Sequence, residues 1–486
     1  MDLKTTEQTN FRYITYHLLI MAICLLVLLL PGQINSRYYM ILGTAVFAGI
    51  VFCSARTYLL ALFALKKKNT YDKLPDELPR VSLIIPSYNE EAVLERTIPT
   101  ALAMDYPPDK LELIYVYESA CTDRTEQIIQ AFASQDSRIK AVRRITQKGG
   151  KAAVTNYGLQ FATGDIIGIF DADHSLNSDL VRLAVAQLQA PNVKCVRGWC
   201  RTINRTHNLV TRLVALERDM VERLCIYGAW RMGGFSTSTG GHAFFQRDVF
   251  DEFGTFNEDI LTEDIDFSTK LHAAGYQIAV LPQMQSWEEA PTSMRSLVSQ
   301  RKRWTRGWIQ VWRIHATRIL KMKKATLFKR IDILISLTCT VISGLFAILI
   351  PLKALSALDF RTSCFDENIS FMLWLFATTT PGIIAILVWC LGREEEDPSG
   401  PEELLLIPLL IPYIIFWFCI SWFCLVDEFV LRWPFAYVKT ERSEEDRVSA
   451  ELDTDLVTEL TTEDQAVETE EVMEGLEVGL SKSLDT

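Results

Sequence analysis

The sequence has no Cys-x-x-Cys pair among its eleven cysteines, so it lacks the ligand spacing of the common zinc sites. Six of the cysteines lie in strongly apolar stretches, where cysteine behaves as a small hydrophobic side chain. These six are Cys24, Cys53, Cys339, Cys390, Cys419 and Cys424. Neither a structural zinc site nor a disulfide framework is predicted.

The sequence also lacks the excess of positive charge that is typical of nucleic-acid-binding proteins. Its 49 basic and 60 acidic residues give a net charge of −11, and we predict no nucleic-acid partner. The acidity is confined to residues 443–486, where fifteen acidic and two basic residues leave residues 1–442 with a net charge of +2. This tail has no proline or aromatic residue, and its composition predicts disorder or a transient helix.

Two apolar runs open the chain, at Tyr13–Pro31 and Met40–Leu65, and each is long enough to cross a hydrocarbon core of about 30 Å. We expect two transmembrane helices within residues 1–68. A cleaved signal peptide is the competing interpretation of the first run, but no small-residue cleavage site follows it. The triplet Lys66–Lys68 ends the second run, and the positive-inside rule places this end in the cytosol. The expected protein is therefore a multi-pass protein of the cell membrane, with a cytosolic domain that starts at Asn69.

A second apolar region at residues 331–431 predicts about three further transmembrane helices. Its apolar stretches are Ile331–Leu352, Phe371–Leu391 and Leu404–Val426. Pro408 and Pro412 leave open whether the last stretch spans the membrane or is re-entrant. The side of the membrane that holds residues 432–486, with the element WPFAYVKTER and the acidic tail, also stays open. An odd number of crossings places it outside, whereas the basic residues that follow the last stretch favour the inside.

Residues 295–330 are rich in arginine and tryptophan and contain the sequence QRKRW. Apolar residues such as Leu297, Trp304 and Val311 recur there at spacings of three and four among basic residues. This pattern predicts amphipathic helices that lie in the headgroup region of the membrane. An ordinary basic helix packed on the soluble domain is the alternative.

Residues 69–294 have the alternation of short apolar strands and amphipathic helices that is typical of an α/β domain. The predicted strands are Val81–Pro86, Leu111–Tyr117, Ile139–Arg144 and Asp165–Phe170. Helices are predicted after the first three strands, so we expect a mostly parallel sheet covered by helices. Ligands of such sheets bind at the carboxyl ends of the strands.

Two groups of carboxylates follow apolar segments of this domain. Asp171 and Asp173 come directly after the fourth strand, where they can hold a hard divalent cation and a diphosphate. A solvated turn is the alternative. Glu263, Asp264 and Asp266 stand at the start of a predicted helix, where acidic residues are favoured by the helix dipole. One of these three could also act as a general base for an acceptor hydroxyl.

Two further segments have less distinct patterns. The glycines and small polar residues of Gly233–Gln246 predict a loop where the backbone closely approaches a ligand. Trp287, Glu288 and Glu289 follow a predicted strand, and a surface loop is the favoured interpretation there.

In their order and spacing these motifs resemble one family. The sequence is similar to the membrane-embedded family 2 glycosyltransferases with a GT-A domain, in the branch that contains cellulose, chitin and hyaluronan synthases. The resemblance covers residues 78–312, about half of the chain, and the apolar stretches on both sides match the same branch. It rests on PSYNEE (86–91), GGKAAVTN (149–156), DAD (171–173), TED (262–264) and QRKRW (300–304).

The resemblance implies a nucleotide-sugar site. Pro86, Tyr88 and Glu90 would border the base and ribose, Lys151 would lie near the nucleotide, and Asp171 would contact the diphosphate of a UDP-sugar.

One position departs from the family's pattern. In the family, the second strand usually ends in a DDGS-like loop whose aspartate contacts the nucleotide base. Here the loop reads Tyr117-Glu118-Ser119-Ala120-Cys121-Thr122-Asp123. Either Glu118 makes that contact or the contact is lost. UDP is therefore the favoured nucleotide, but its identity stays open.

The resemblance also assigns the chemistry. Asp173 would bind Mg²⁺ or Mn²⁺, and Asp264, with Glu263 beside it, would be the catalytic base. The acceptor and the diphosphate would lie against Gly240, Gly241, Gln300, Arg303 and Trp304.

The predicted function is an inverting transfer of a hexose or N-acetylhexosamine from a nucleotide sugar to a membrane-associated acceptor, with synthesis and export of a polysaccharide. Transfer of a single sugar to a lipid carrier or glycolipid is the first alternative. A non-catalytic membrane scaffold that keeps the GT-A fold is the second, although Asp171, Asp173 and Asp264 are all present.

Overall fold

The computed structural model describes residues 3–34, 36–65, 70–145, 150–356, 367–393 and 400–433. The lysine triplet 66–68, Gly149, residues 434–442 of the WPFAYVKTER element and the acidic tail lie outside the described residues. The membrane side of these segments therefore stays a prediction.

An eight-stranded sheet lies at the centre of the domain. Its strands are β1 (Val81–Ser87), β2 (Leu111–Glu118), β3 (Ile139–Arg144), β4 (Ile166–Phe170), β5 (Ser175–Leu176), β6 (Val193–Thr202), β7 (His242–Gln246) and β8 (Gln277–Glu288). They are arranged in the order β3-β2-β1-β4-β7-β6-β8-β5. The four strands predicted from the sequence are β1 to β4, and each begins and ends within one residue of its prediction.

The sheet is mixed, and this corrects the prediction of a mostly parallel sheet. Strands β1 to β4 pair in parallel, as expected. Strand β7 is antiparallel to both β4 and β6, and β5 is antiparallel to β8. Only β6 and β8 restore a parallel pair in the second half. The error arose because hydrophobic periodicity reports which side of a strand is buried and carries no information about strand direction.

Helices precede, cover and follow the sheet. They are α1 (Leu3–Ile34), α2 (Ser36–Ala64), α3 (Glu91–Leu102), α4 (Thr125–Gln135), α5 (Gly150–Leu159), α6 (Leu180–Gln187), α7 (Leu209–Met220), α8 (Ala229–Met232), α9 (Asp248–Phe253), α10 (Glu263–Ala273), α11 (Met294–Ile319), α12 (Leu327–Ser356), α13 (Glu367–Arg393) and α14 (Leu410–Leu425). A π-helical segment, Val221–Gly228, joins α7 to α8, and another, Val426–Leu431, follows α14. The segments Pro108–Lys110 and Pro401–Leu409 are 3₁₀-helical.

The alternation of side chains along β1 explains why both sides of the sheet are covered. Val81, Leu83 and Ile85 belong to a core that also contains residues of α3, α4 and α6. Ile84 points the opposite way, into a second core with residues of α5, α9 and α10. Successive side chains of a strand face opposite sides, so a strand that is buried on both faces, as β1 is, needs helices on both sides of the sheet.

Among the described residues, two helical segments are long and apolar enough to cross a membrane: Leu327–Ala347 and Pro401–Leu431. Three shorter apolar helical segments are Arg12–Val27, Val51–Ala64 and Thr378–Gly392. Each of the five segments overlaps one of the five predicted apolar stretches and carries exposed apolar side chains. Crossing of the bilayer by all five stays a prediction.

Helix α11 contains the QRKRW sequence and links the sheet domain to the apolar helices. It contacts α10 of the sheet domain and the apolar helices α12 and α14. Leu297, Ile309 and Val311 are buried along it. The helix therefore holds the domain against the apolar helices through packed side chains.

Candidate active site

A cavity of about 980 Å³ opens at the carboxyl ends of β1, β2 and β4. All fourteen side chains or glycines predicted as site residues line it: Pro86, Tyr88, Glu90, Glu118, Lys151, Asp171, Asp173, Gly240, Gly241, Glu263, Asp264, Gln300, Arg303 and Trp304. The fold thus brings together residues that are more than two hundred positions apart in the sequence. Their individual roles stay predictions.

Asp171 is fixed by a lysine and a glycine. Lys151 at the start of α5 makes an ion pair with its carboxylate, and the Asp171 amide donates to the carbonyl of Gly241 at 3.3 Å. A Cβ on Gly241 would lie 2.2 Å from Asp171 Oδ2, so any other residue there would displace the Asp171 carboxylate. Burial acts to raise the pKa of Asp171, but Lys151 and His174 outweigh it and lower the pKa. The carboxylate is therefore ionised at neutral pH.

Asp171, Asp173 and His174 form a group whose potential ligand atoms lie within 4.8 Å of one another. Carboxylate oxygens are the ligands that Mg²⁺ prefers and that Mn²⁺ also accepts, so this group fits such a cation. Because Lys151 already pairs with Asp171, Asp173 is the better placed of the two carboxylates to hold it.

His174 and Glu288 form a buried network behind these carboxylates. Nε2 of His174 contacts Glu288 Oε2 at 2.8 Å, and its Nδ1 lies 3.2 Å from Ser286 Oγ. Arg218 of α7 makes an ion pair with the other oxygen of Glu288. Burial acts to raise the pKa of Glu288, but Arg218 and His174 outweigh it and hold the pKa well below its ordinary value.

Glu288 and Arg218 both line the cavity and were not predicted as site residues. Glu288 lies at the end of β8, beyond the predicted strand, and the surface-loop interpretation of this position is wrong. The only sequence signal was the acidic pair that follows the strand. Glu288 also lies near His174 and Cys200 in a second group that could hold a metal ion. Arg218 contacts the sulfur of Cys200 at 3.1 Å and pairs with Glu288. Its guanidinium group therefore already supplies the positive charge that a metal ion would supply in this group.

Asp264 is held at the N-terminus of α10 by two backbone amides. Gly240 N–H donates to its Oδ2 at 2.7 Å, and the Ile265 amide donates to its Oδ1 at 2.9 Å. Burial raises the pKa of Asp264 although these two amides lower it. Burial, together with the charge of Asp264, also raises the pKa of Glu263 to about 7. A fixed carboxylate with a raised pKa is suited to accept a proton near neutral pH.

Helix α11 fits closely against the loop before Asp264. A Cβ on Gly307 would lie 2.5 Å from Thr262 Cγ2, so the glycine allows the helix to touch this loop. Gln310 Oε1 accepts a hydrogen bond from the Leu261 amide at 3.1 Å. Further towards the start of the helix, Gln300 lines the cavity, and its Oε1 is buried without a hydrogen-bond donor among the described residues. That oxygen can accept a hydrogen bond from a hydroxyl or amide of a ligand.

Glu118 at the end of β2 lines the cavity and pairs with Arg144, its neighbour in register at the end of β3. The two side chains are 2.6 Å apart, and only 11% and 8% of them are exposed. Burial raises the pKa of Glu118 although Arg144 lowers it. The side chain lies where the resemblance places a base-contacting carboxylate, and one of its oxygens is taken by Arg144.

The fold and this cavity together define a GT-A glycosyltransferase domain: a mixed sheet covered by helices, with acidic residues at the strand ends. Residues 79–307 match the family model described as "Glycosyltransferase like family 2". The chain thus carries a family 2 glycosyltransferase domain.

Relatives of several kinds share this domain. The chain is 30% identical over 236 residues to "Probable glycosyltransferase YdaM" of Bacillus subtilis, which covers 48% of this chain and 56% of the relative. It is 30% identical over 255 residues to "Beta-monoglucosyldiacylglycerol synthase" of Synechocystis sp., over 51% of this chain and 52% of the relative. A match to "Poly-beta-1,6-N-acetyl-D-glucosamine synthase" of Staphylococcus aureus is 26% identical over 49% of this chain and 56% of that protein. The chain thus spans about half the length of the curated relatives it matches.

Among solved structures, "Mannosyltransferase PcManGT from Pyrobaculum calidifontis in complex with GDP-Man and Mn2+" is similar with a TM-score of 0.49 and 23% identity. The similarity covers 73% of this chain and 99% of that chain.

Proposed function

We propose that the chain is an inverting glycosyltransferase that moves a hexose or N-acetylhexosamine from a nucleotide sugar, with UDP as the favoured nucleotide, to a hydroxyl of a membrane-associated acceptor. The observation that carries the proposal is that one cavity contains both the Asp171–Asp173 group and the amide-held carboxylate of Asp264. The first fits a diphosphate with its cation, and the second fits a general base.

The proposed reaction is a single in-line displacement at the anomeric carbon. The acceptor oxygen forms the new glycosidic bond as the bond to the diphosphate breaks, and Asp264 takes the hydroxyl proton. Asp173 would hold Mg²⁺ or Mn²⁺, which neutralises charge on the diphosphate when it is bound. Arg303 would stabilise the same leaving group through its guanidinium.

The acceptor has two candidate classes. Apolar helices on both sides of the domain support one that is associated with the membrane. The resemblance to polysaccharide synthases and the S. aureus relative support a growing polysaccharide that is exported. The Synechocystis relative, named as a glucosyldiacylglycerol synthase, supports transfer of a single sugar to a lipid.

Incubation of membranes that contain the protein with radiolabelled nucleotide sugars tests the proposal and separates these classes. A ladder or a high-mass polymer indicates a processive enzyme, and one labelled lipid indicates single addition. Titration of the purified protein with UDP, with and without Mn²⁺, tests the scaffold alternative. Metal-dependent binding supports the enzyme, and absence of nucleotide binding contradicts it.

A further inference from the structure

The cavity extends beyond the segment that matches the family. Part of its wall is formed by residues of α2 and α12, which lie outside residues 79–307. We call this part the helix-lined compartment and define it by Arg56, Ser336, Cys339 and Thr340 of these two helices, together with Cys225 and Phe235 of the matched segment. These residues line the same cavity as Asp264.

The compartment is built around a buried carboxylate. Asp332 of α12 accepts hydrogen bonds from Arg56 of α2 at 2.9 Å and from the Phe235 amide at 2.7 Å. Arg56 also donates to Ser336 at 2.9 Å. A Cβ on Gly234 would lie 2.3 Å from Asp332 Oδ2, so the loop is packed tightly onto α12. These contacts fix two apolar helices and the loop that leads to Gly240 in one arrangement.

The charges of the cavity disfavour an anionic ligand in this compartment. Ten carboxylates line the whole cavity against five lysines and arginines. Arg56 pairs with Asp332, Lys151 with Asp171, Arg218 with Glu288 and Arg301 with Glu217. Arg56 is the only cation among the six residues that define the compartment, and its charge is matched by Asp332 at 2.9 Å. A phosphate placed in the compartment would therefore find a guanidinium whose charge is already matched by Asp332.

Uncharged oxygens suit the compartment better. Nε of Arg56 is buried without an acceptor among the described residues, so it can donate to an ester or hydroxyl oxygen. The other lining groups are thiols, hydroxyls and an aromatic ring, which offer an uncharged surface. On their other faces α2 and α12 expose apolar side chains, including Leu62 at 60% and Leu345 at 45%. Such faces are suited to contact acyl chains.

We propose that the helix-lined compartment binds the acceptor, and that the acceptor is an uncharged lipid with a free hydroxyl group, of the acylglycerol type. This inference rests on the proposed glycosyltransferase function and selects one of its two acceptor classes. The lipid hydroxyl gives its proton to Asp264, its oxygen bonds to the anomeric carbon, and the nucleoside diphosphate leaves with the electron pair of the broken bond. The acyl chains stay against the apolar helices.

The test uses the full chain in phosphatidylcholine nanodiscs that contain 1,2-dioleoylglycerol, with UDP-glucose, UDP-galactose, UDP-N-acetylglucosamine and GDP-mannose as donors. The wild type is expected to form a monoglycosyl lipid with at least one donor. Thr340→Trp and Cys225→Trp fill the compartment and should raise the KM for dioleoylglycerol by about tenfold or more. The affinity for UDP should be unchanged in both. Leu405→Trp, at an exposed position of the Pro401–Leu409 segment that does not line the cavity, is the control and should behave like the wild type.

Three results would overturn the inference. One is a wild type that transfers sugar only to polyprenyl phosphate or into a high-mass polymer. Another is normal use of dioleoylglycerol by both tryptophan variants. The third is unchanged alkylation of Cys225 by N-ethylmaleimide in the wild type when dioleoylglycerol is added, since an occupied compartment should slow this reaction. The last measurement needs no variant to fold. Failure of the proposed function itself would be distinct, because then no nucleotide would bind and no donor would be consumed.

Discussion

Replacement of Asp264 by asparagine removes the proposed base with little change in shape. Asparagine keeps one oxygen that can accept from a backbone amide. Its NH₂ group, however, must face the second of the two amides, Gly240 N–H at 2.7 Å or Ile265 N–H at 2.9 Å. One buried donor then loses its acceptor, which costs about 1–3 kcal/mol in stability. The variant should fold with a lowered melting temperature.

The expected loss of activity is larger than this structural cost. A general base contributes a factor of roughly 10² to 10⁴, which corresponds to about 2.7–5.4 kcal/mol of transition-state stabilisation. Binding of the nucleotide should change little, because the residues proposed to bind it are all left in place. The predicted pattern is therefore a loss in kcat with an almost unchanged Kd for UDP.

The assay combines turnover of a radiolabelled nucleotide sugar with calorimetric titration of UDP. Asp259→Asn provides the matched control, because Asp259 is exposed five residues earlier and its replacement makes the same change in charge. That control should keep wild-type turnover. A fall in kcat of less than about tenfold for Asp264→Asn would refute the assignment, since loss of a general base should have a larger effect. An equal loss of UDP affinity and of kcat would instead indicate a structural role.

Three other changes test neighbouring parts of the site. EDTA should stop sugar transfer, and added Mn²⁺ or Mg²⁺ should restore it. The Asp173→Ala variant should lose activity that added metal does not recover. Full activity in metal-free membranes would contradict the metal assignment. Gly241→Ala should abolish nucleotide binding, because its Cβ would lie 2.2 Å from Asp171 Oδ2, whereas Gly240→Ala, with a nearest contact of 3.4 Å, should be much milder. Equal effects in titrations with UDP would refute the steric argument. Burial raises the pKa of Glu263 from 4.5 to about 7, so the folded state binds the extra proton and loses stability as pH rises from 4.5 towards 7. Glu263→Gln should therefore be more stable than the wild type at pH 8, by at most about 3 kcal/mol, and nearly equal to it at pH 4; melting curves that differ equally at both pH values would contradict this.

Local sequence patterns were sufficient to predict the strands of the first half of the sheet. Strands β1, β2 and β4 consist mostly of apolar and β-branched residues, and such runs indicate burial on both faces without reference to the rest of the chain. Because the carboxyl ends of parallel strands meet at one edge, the order of these strands and loops alone places Asp171 near Tyr88 and Glu118. The order of the motifs identified Asp264 and Gln300 as candidate site residues, and both line the cavity.

Other features depended on long-range pairing. The direction of β7, between β4 and β6, is decided by which strand edges remain free, and the residues of β7 do not encode it. Glu288 enters the site only because β8 extends to pair with β5, which carries it to His174. The pairing of Glu118 with Arg144 follows from the register of β2 and β3.

The sequence by itself determined the class of domain, since residue type and local spacing encode strands, helix starts and the carboxylates that a nucleotide sugar with its cation requires. The helix-lined compartment was decided by tertiary structure alone. Arg56 and Thr340 lie in separate apolar helices with no shared motif, and they line one cavity because Asp332 binds both Arg56 and the Phe235 amide. Such a contact depends on how helices pack, and packing is a property of the whole folded chain that no local pattern records.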